Sequence, residues 1–97
     1  MDKNTFNILY GFYINNVVRH RHKNKLTEYD RKNIREKNKD YAITLDKLKI
    51  SWKVQNKIAY EASKPRNWNN YHKDTLKNIL TDSGMILWKN IKQLLIS

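Results

Sequence analysis

The segment that decides the fold is residues 41–62, YAITLDKLKISWKVQNKIAYEA. Its apolar side chains recur every three or four residues, the spacing that stacks side chains on one face of an α-helix. No glycine or proline occurs between Thr27 and Ser63, so no residue of either type interrupts this helix. Two apolar rows predict a helix covered on two sides, like the central member of a bundle. The first row is Tyr41, Leu45, Leu48, Trp52, Ala59 and Ala62, and the second is Ile43, Ile50, Val54 and Ile58.

The segments before this stretch are also predicted to be helical. Residues 4–21 place large apolar side chains at helical spacing and form the predicted first helix. Thr27 followed by Asp30 matches a capping signature, so a second helix should begin near Thr27. Residues 27–40 are far more polar, and we expect this half to project from the bundle or to fray. Whether residues 27–63 form one helix or several stays open, although the continuous stripe favours one.

The C-terminal third begins with a predicted interhelical loop at residues 64–70, which contains a proline and three asparagines. Either one helix then runs from Tyr71 to Leu95 and tolerates Gly84, or a break near Thr81 divides it. The sequence therefore predicts one all-α domain over residues 1–97, a bundle of three or four helices with a helix-turn-helix-like arrangement as one option. The expected buried core includes Leu45, Leu48, Trp52, Ile58, Leu80, Leu87 and Ile91.

Composition restricts the partners and the compartment. Twenty Lys and Arg residues against nine Asp and Glu give a formal charge of +11, which favours nucleic acid, an acidic protein surface or an anionic membrane surface as partner. The absence of cysteine excludes disulfides, thiolate zinc sites and cysteine nucleophiles, and it suits a reducing, cytoplasmic environment. The longest apolar stretch, Ile8 to Val18, is shorter than the roughly 20 residues of a membrane span, so we expect no transmembrane segment.

The third side of the long predicted helix carries a row of cations. If the helix is continuous, this row extends about 50 Å at 1.5 Å per residue and can neutralise several phosphates. Asp46 is the one acid within it. The alternative is a lysine-rich face that is merely solvated. The row consists of Arg31, Arg35, Lys39, Lys49, Lys53, Lys57 and Lys64.

Two further clusters are candidate contacts for an anion. Residues 19–25 supply Arg19, Arg21, Lys23 and Lys25 at the end of the first helix. The predicted loop supplies Arg66 and Trp68, and the tryptophan either stacks on unpaired bases or anchors the end of the bundle.

No metal site, cofactor or enzymatic activity is predicted. His20 and His22 are two residues apart and do not face each other on a helix, so they do not form a metal site. Neither a glycine-rich phosphate loop nor a His-Glu-x-x-His pattern occurs in the sequence.

Two short stretches resemble DNA-binding families. Residues 80–84 resemble the segment that leads from the wing into the last helix of winged helix-turn-helix repressors. Residues 44–58 then resemble the reading helices of that family, which implies a helix break near Ser51. Residues 52–56 resemble part of a homeodomain reading helix, with one residue too many between Trp52 and Asn56. Neither stretch assigns the chain to a family.

The leading functional hypothesis is a nucleic-acid-binding protein that contacts the phosphate backbone of DNA or RNA through its basic helix face, with a regulatory role as one option. One alternative is a small phage-type inhibitor or regulator that binds an acidic or nucleic-acid-binding surface of another protein. A further alternative is an immunity protein that acts at a membrane surface. The sequence leaves the oligomeric state open.

Overall fold

Every regular element in residues 1–69 and 72–84, the part of the chain that the computed structural model describes, is helical. This confirms the predicted all-α class and the small helical bundle. Two short 3₁₀ turns, Lys23–Lys25 and Pro65–Asn67, precede the second and the fourth helix. Leu87 and Ile91, predicted to be buried, lie outside the described residues. The helices are α1 (Lys3–Arg21), α2 (Glu28–Lys47), α3 (Trp52–Ala62) and α4 (His72–Asp82).

The starts of α2 and α3 are fixed by side-chain caps. The Thr27 hydroxyl accepts a hydrogen bond from the Asp30 backbone N–H at 3.1 Å, and the Asp30 carboxylate accepts one from the Thr27 N–H at 3.0 Å. This capping box confirms the predicted start of the second helix. Ser51 caps α3, because its hydroxyl accepts a hydrogen bond from the Val54 N–H at 3.3 Å.

Helix α2 ends at Lys47, so the continuous helix favoured by the apolar stripe is wrong. Lys49 adopts a left-handed backbone conformation with φ of 61°. The Ile50 N–H donates to the Leu45 carbonyl at 2.9 Å, and the Lys49 N–H donates to the Asp46 carbonyl at 3.0 Å. These two bonds define a Schellman motif, which commonly places glycine where this chain has Lys49. Lysine is not a residue that usually marks the end of a helix, so Lys49 itself did not indicate the break.

The break changes which apolar row faces the core. From Ile50 onward, the buried row advances by four residues through Val54 and Ile58 to Ala62. Leu48 is 39% exposed and Trp52 is 67% exposed, so their predicted burial is wrong. The predicted burial of three other residues is confirmed: Leu45, Ile58 and Leu80 are fully buried.

Helix α1, and not the 41–62 segment, is the central member of the bundle. It contacts α2, α3 and α4, and it buries a continuous set of large side chains against them. This follows from its apolar residues at three- and four-residue spacing, which cover more than one side of the helix. The buried set from α1 is Phe6, Leu9, Phe12, Tyr13 and Val17.

The polar half of α2 lies along α1, so the expectation that it projects or frays is wrong. Buried or partly buried amides contribute to this contact. Asn15 donates to the Ile34 carbonyl at 3.1 Å, and Asn16 donates to the Asn38 side-chain oxygen at 2.8 Å. These bonds satisfy polar groups at the helix interface and hold the two helices together.

Helix α4 ends at Asp82, so the alternative of one helix running through Gly84 is wrong. Gly84 has a φ of 77°, and its N–H donates to the Thr81 carbonyl at 3.1 Å. A left-handed residue at this position ends the helix, and glycine adopts that conformation without the steric cost of a Cβ atom.

Candidate functional site

The break after α2 divides the predicted row of cations. Arg31, Arg35 and Lys39 lie on α2, whereas Lys53 and Lys57 lie on α3. The row is therefore not a continuous strip of about 50 Å. Its two halves belong to two different surfaces, and Lys39 is exposed without lining either of them.

The first surface is the solvent-facing side of α3 and of the turn before it, here called the α3 surface. Helix α3 buries one side through Val54, Ile58 and Ala62, which leaves the opposite side in solvent. The exposed residues on that side alternate between cationic, amide and aromatic side chains. They are Lys49, Trp52, Lys53, Asn56, Lys57 and Tyr60.

The α3 surface carries its aromatic rings and its ammonium groups in adjacent rows. Trp52, Asn56 and Tyr60 are spaced by four residues. Lys53 directly follows Trp52, and Lys57 directly follows Asn56. Trp52 is 67% exposed and Tyr60 is 58% exposed. Large aromatic rings left this open beside cations are available for contact with another molecule.

A cation also stacks on the end of the α3 surface. The Lys64 Nζ lies 4.3 Å from the centroid of the Tyr60 ring, which is within the range of a cation–π contact. Lys64, predicted as a contact residue, therefore belongs to the α3 surface although it follows the helix.

No carboxylate side chain interrupts the α3 surface. The sequence has no Asp or Glu between Lys47 and Tyr60. The preceding acid, Asp46, accepts a hydrogen bond from the buried Gln55 amide at 2.9 Å. Gln55 also donates to the Ile50 carbonyl at 2.9 Å and so ties the turn to α3. The positive potential of the lysines is therefore not cancelled along this side of the helix.

Sequence reasoning missed Trp52 and Tyr60, because it assigned Trp52 to the core. The available signal was Ser51, a favoured N-cap residue directly before Trp52. If a helix starts after Ser51, then Ile50, Val54 and Ile58 become the core row and Trp52 faces solvent.

The second surface is a concave one, here called the arginine cleft. It has a volume of about 340 Å³ and lies between the end of α1, the 3₁₀ turn and the first half of α2. Leu26 and Ile34 supply apolar lining. The polar lining consists of Arg19, His20, Lys23, Arg31 and Arg35.

Two contacts fix parts of the arginine cleft. Arg31 donates to the Lys23 carbonyl at 3.3 Å, which ties the 3₁₀ turn to α2. Arg35 lies 3.8 Å from the Glu28 carboxylate, and both side chains are more than half exposed. Such an exposed pair is weak and is easily exchanged for another anion.

His20 reports on the electrostatics of the arginine cleft. Partial burial lowers the pKa of His20, and the positive charges of Arg19 and Lys23 lower it further. An uncharged imidazole beside several cations is the state expected of a site with a large positive potential.

The remaining predicted residues surround the loop before α4. Arg21 donates to the Trp68 carbonyl at 2.8 Å, and the Trp68 indole N–H donates to the Ala62 carbonyl at 2.9 Å. Trp68 also packs against the core, so its contacts are those of an anchor. Arg66 forms an ion pair with Glu61 at 3.0 Å. Lys25 lines a neighbouring groove of about 310 Å³ together with Arg21 and Trp68.

Within residues 1–69 and 72–84, no group of three or more His, Cys, Asp or Glu side chains could hold a metal ion. None of the helices described for this chain is both long and apolar enough to cross a membrane. No protein-family model, curated protein or solved structure matches the chain. A functional proposal therefore depends on the two basic surfaces themselves.

Proposed function

We propose that this protein binds nucleic acid, chiefly through its phosphates, with the α3 surface as the main contact. The observation that carries the proposal is the placement of lysines and exposed aromatic rings on one side of one helix, with no acidic residue among them. Lysine ammonium groups neutralise phosphates and release counterions, which supplies affinity that depends on salt but not on base sequence.

The exposed rings extend the proposal from phosphates to bases. Trp52 and Tyr60 are about two helical turns apart and both are largely exposed, and Lys64 lies over one face of the Tyr60 ring. Stacking of a base on an aromatic side chain contributes about 1–3 kcal/mol and requires an unpaired base. We therefore expect single-stranded nucleic acid, or an unpaired loop, to bind more tightly than a duplex of the same sequence.

The position of α3 in the chain supports the same proposal. Helices α2 and α3 are consecutive and are joined by residues 48–51, a turn of the length found in helix-turn-helix units. In such units the second helix carries the residues that contact nucleic acid, and its N-terminal residues lie closest to it. Lys49, Trp52 and Lys53 occupy the corresponding positions around the start of α3.

A salt titration tests the lysine contribution. Fluorescence anisotropy is measured with labelled single-stranded DNA, RNA and duplex DNA of one sequence, for the wild type and for the triple variant Lys49→Gln, Lys53→Gln, Lys57→Gln. The logarithmic salt slope should become shallower by about 0.9 per lysine removed on duplex DNA, and by about 0.7 on single strands. The control variant removes an equal charge from exposed lysines elsewhere: Lys3, Lys32 and Lys37.

The two triple variants together decide the outcome. If only the α3 variant changes the slope, the α3 surface is the contact. If both variants change it equally, binding reflects net charge and the proposed location is wrong. If the wild type shows no salt-dependent affinity for any of the three nucleic acids, the proposed function is wrong, and an acidic protein becomes the leading partner.

A further inference from the structure

The arginine cleft differs from the α3 surface in shape and in chemistry. Arg19 comes from the last turn of α1, Lys23 from the 3₁₀ turn, and Arg31 and Arg35 from the first half of α2. Chain segments that are distant in sequence thus place three guanidinium groups around one concavity. Its volume of about 340 Å³ falls within the range of small-molecule sites, about 300–1,000 Å³.

We propose that the arginine cleft binds a phosphate monoester, either the terminal phosphate of a nucleic acid chain or that of a free nucleotide. The proposal does not rest on the α3 surface, because the two surfaces share no residue.

The charge and geometry of the cleft favour a monoester. A phosphate monoester carries a charge of about −1.5 to −2 at pH 7 and presents three acceptor oxygens, whereas a backbone diester carries one charge. The guanidinium fork matches phosphate oxygens in a bidentate manner, and forks from separate helices can approach one tetrahedral group from different sides. A carboxylate, in contrast, is planar and matches a single fork in this way. Leu26 and Ile34 give the cleft an apolar wall against which the rest of the ligand can lie.

The charges in the cleft are largely uncompensated. Within the described residues, Arg19, Lys23 and Arg31 form no ion pair, and Arg35 meets only the exposed Glu28 at 3.8 Å. An entering anion therefore displaces at most one weak pair. Burial lowers the pKa of His20, and the charges of Arg19 and Lys23 lower it further.

His20 supplies a spectroscopic readout that lies inside the cleft. A nucleoside monophosphate, the matching nucleoside, inorganic phosphate and a glutamate-rich peptide are each titrated while the imidazole resonances are followed by NMR. The His20→Gln variant assigns the resonance. We expect the monophosphate to shift the His20 signal to saturation and to raise the His20 pKa, and the nucleoside to do neither.

Variants identify the residues that hold the phosphate. Arg19→Gln and Arg35→Gln should each weaken monophosphate binding about tenfold or more, the scale expected for a lost charged hydrogen bond. Lys32→Gln removes the same charge from α2 outside the cleft and should change the Kd by less than about twofold. Arg31 is left intact because its bond to the Lys23 carbonyl holds the 3₁₀ turn in place.

Two oligonucleotides of one sequence distinguish a chain terminus from a free nucleotide as the source of the monoester. One carries a 5′-phosphate and the other a 5′-hydroxyl. If the phosphorylated end shifts His20 and the hydroxyl end does not, the ligand is a chain terminus. If only the mononucleotide does so, the ligand is a free nucleotide. Either result supports the monoester site.

Three results would overturn the monoester site. One is the absence of a saturable His20 shift up to about 10 mM monophosphate, where a site with a millimolar Kd is mostly occupied. Another is an equal loss of binding in Lys32→Gln and Arg35→Gln. The third is tighter binding of the glutamate-rich peptide, which points to an acidic protein. None of these results bears on the salt dependence of the α3 surface, so the two proposals fail separately.

Discussion

The α3 surface and the arginine cleft both collect cations, but one is convex and the other concave. The α3 surface takes its lysines and rings from one helix and the short segments on either side of it, residues 49–64. The cleft takes its arginines from α1 and α2 and its lysine from the 3₁₀ turn between them. Lysine is a flexible point charge suited to a diffuse row of phosphates, whereas arginine offers a planar fork suited to one fixed phosphate. The two proposals therefore assign two different modes of anion recognition to one small bundle.

The largest expected effect concerns the orientation of α3, on which the convex surface depends. Ile58→Ala should destabilise the protein by about 2–5 kcal/mol, because Ile58 is fully buried and its loss leaves a cavity in the core. Trp52→Ala, on the opposite side of the same helix, should cost less than about 1 kcal/mol. Chemical denaturation followed by circular dichroism measures both. If Trp52→Ala proves the more costly, α3 is rotated relative to this description, and the α3 surface is not solvent-facing.

The contrast between Ile58 and Trp52 also shows what the sequence could predict. Helical class, the first helix and the start of the second followed from apolar spacing and the Thr27 capping signature, which are local properties. The break at Lys49 did not follow, because a lysine occupies a position where glycine is the usual signal. Because the end of α2 was not predicted, Trp52 was assigned to the buried side of the helix instead of the exposed side.

The two surfaces differ in how far sequence can reveal them. The lysines of the α3 surface are close in sequence, so their shared face could be proposed from spacing alone. The cleft required knowledge that the polar half of α2 lies along α1, and that contact depends on amides such as Asn15 and Asn16 instead of an apolar stripe. Tertiary contacts of this kind bring Arg19 to Arg31 and Arg35, and no periodicity in the sequence encodes them.

An intermediate effect is expected at Lys49, where charge and backbone strain can be separated. A non-glycine residue in the left-handed region costs about 1–2 kcal/mol, so Lys49→Gly should stabilise the protein by about 1 kcal/mol. The same change should reduce the salt slope of nucleic-acid binding by about 0.7 to 0.9, since one phosphate contact is lost. Denaturation midpoints and anisotropy titrations on the same preparation measure both quantities.

A matched substitution in α3 provides the control for Lys49→Gly. Lys57→Gly also removes one lysine from the α3 surface, but it places glycine in the middle of α3 and should destabilise the protein by about 1 kcal/mol. The two variants should therefore have opposite effects on stability and similar effects on binding. If Lys49→Gly stabilises the protein and leaves the salt slope unchanged, Lys49 does not belong to the α3 surface.

The smallest expected effect is a pH dependence that belongs to the arginine cleft alone. Because burial and the charges of Arg19 and Lys23 lower the pKa of His20 in the folded protein, the folded state binds fewer protons than the unfolded state between that lowered pKa and about 6.5. Stability should therefore rise with pH through this window, and the contribution should be lost as the pH falls below it. Denaturation midpoints at pH 5 and pH 7 should differ less in His20→Gln than in the wild type, and that difference between the two proteins isolates His20 from the other histidines.

A bound monophosphate should raise the His20 pKa and so reduce the pH dependence of stability in the wild type. Binding at the α3 surface should not follow this pattern, because that surface contains no histidine. If His20→Gln leaves the pH dependence of stability unchanged, His20 does not respond to the charges of the cleft, and the electrostatic distinction between the two surfaces is wrong.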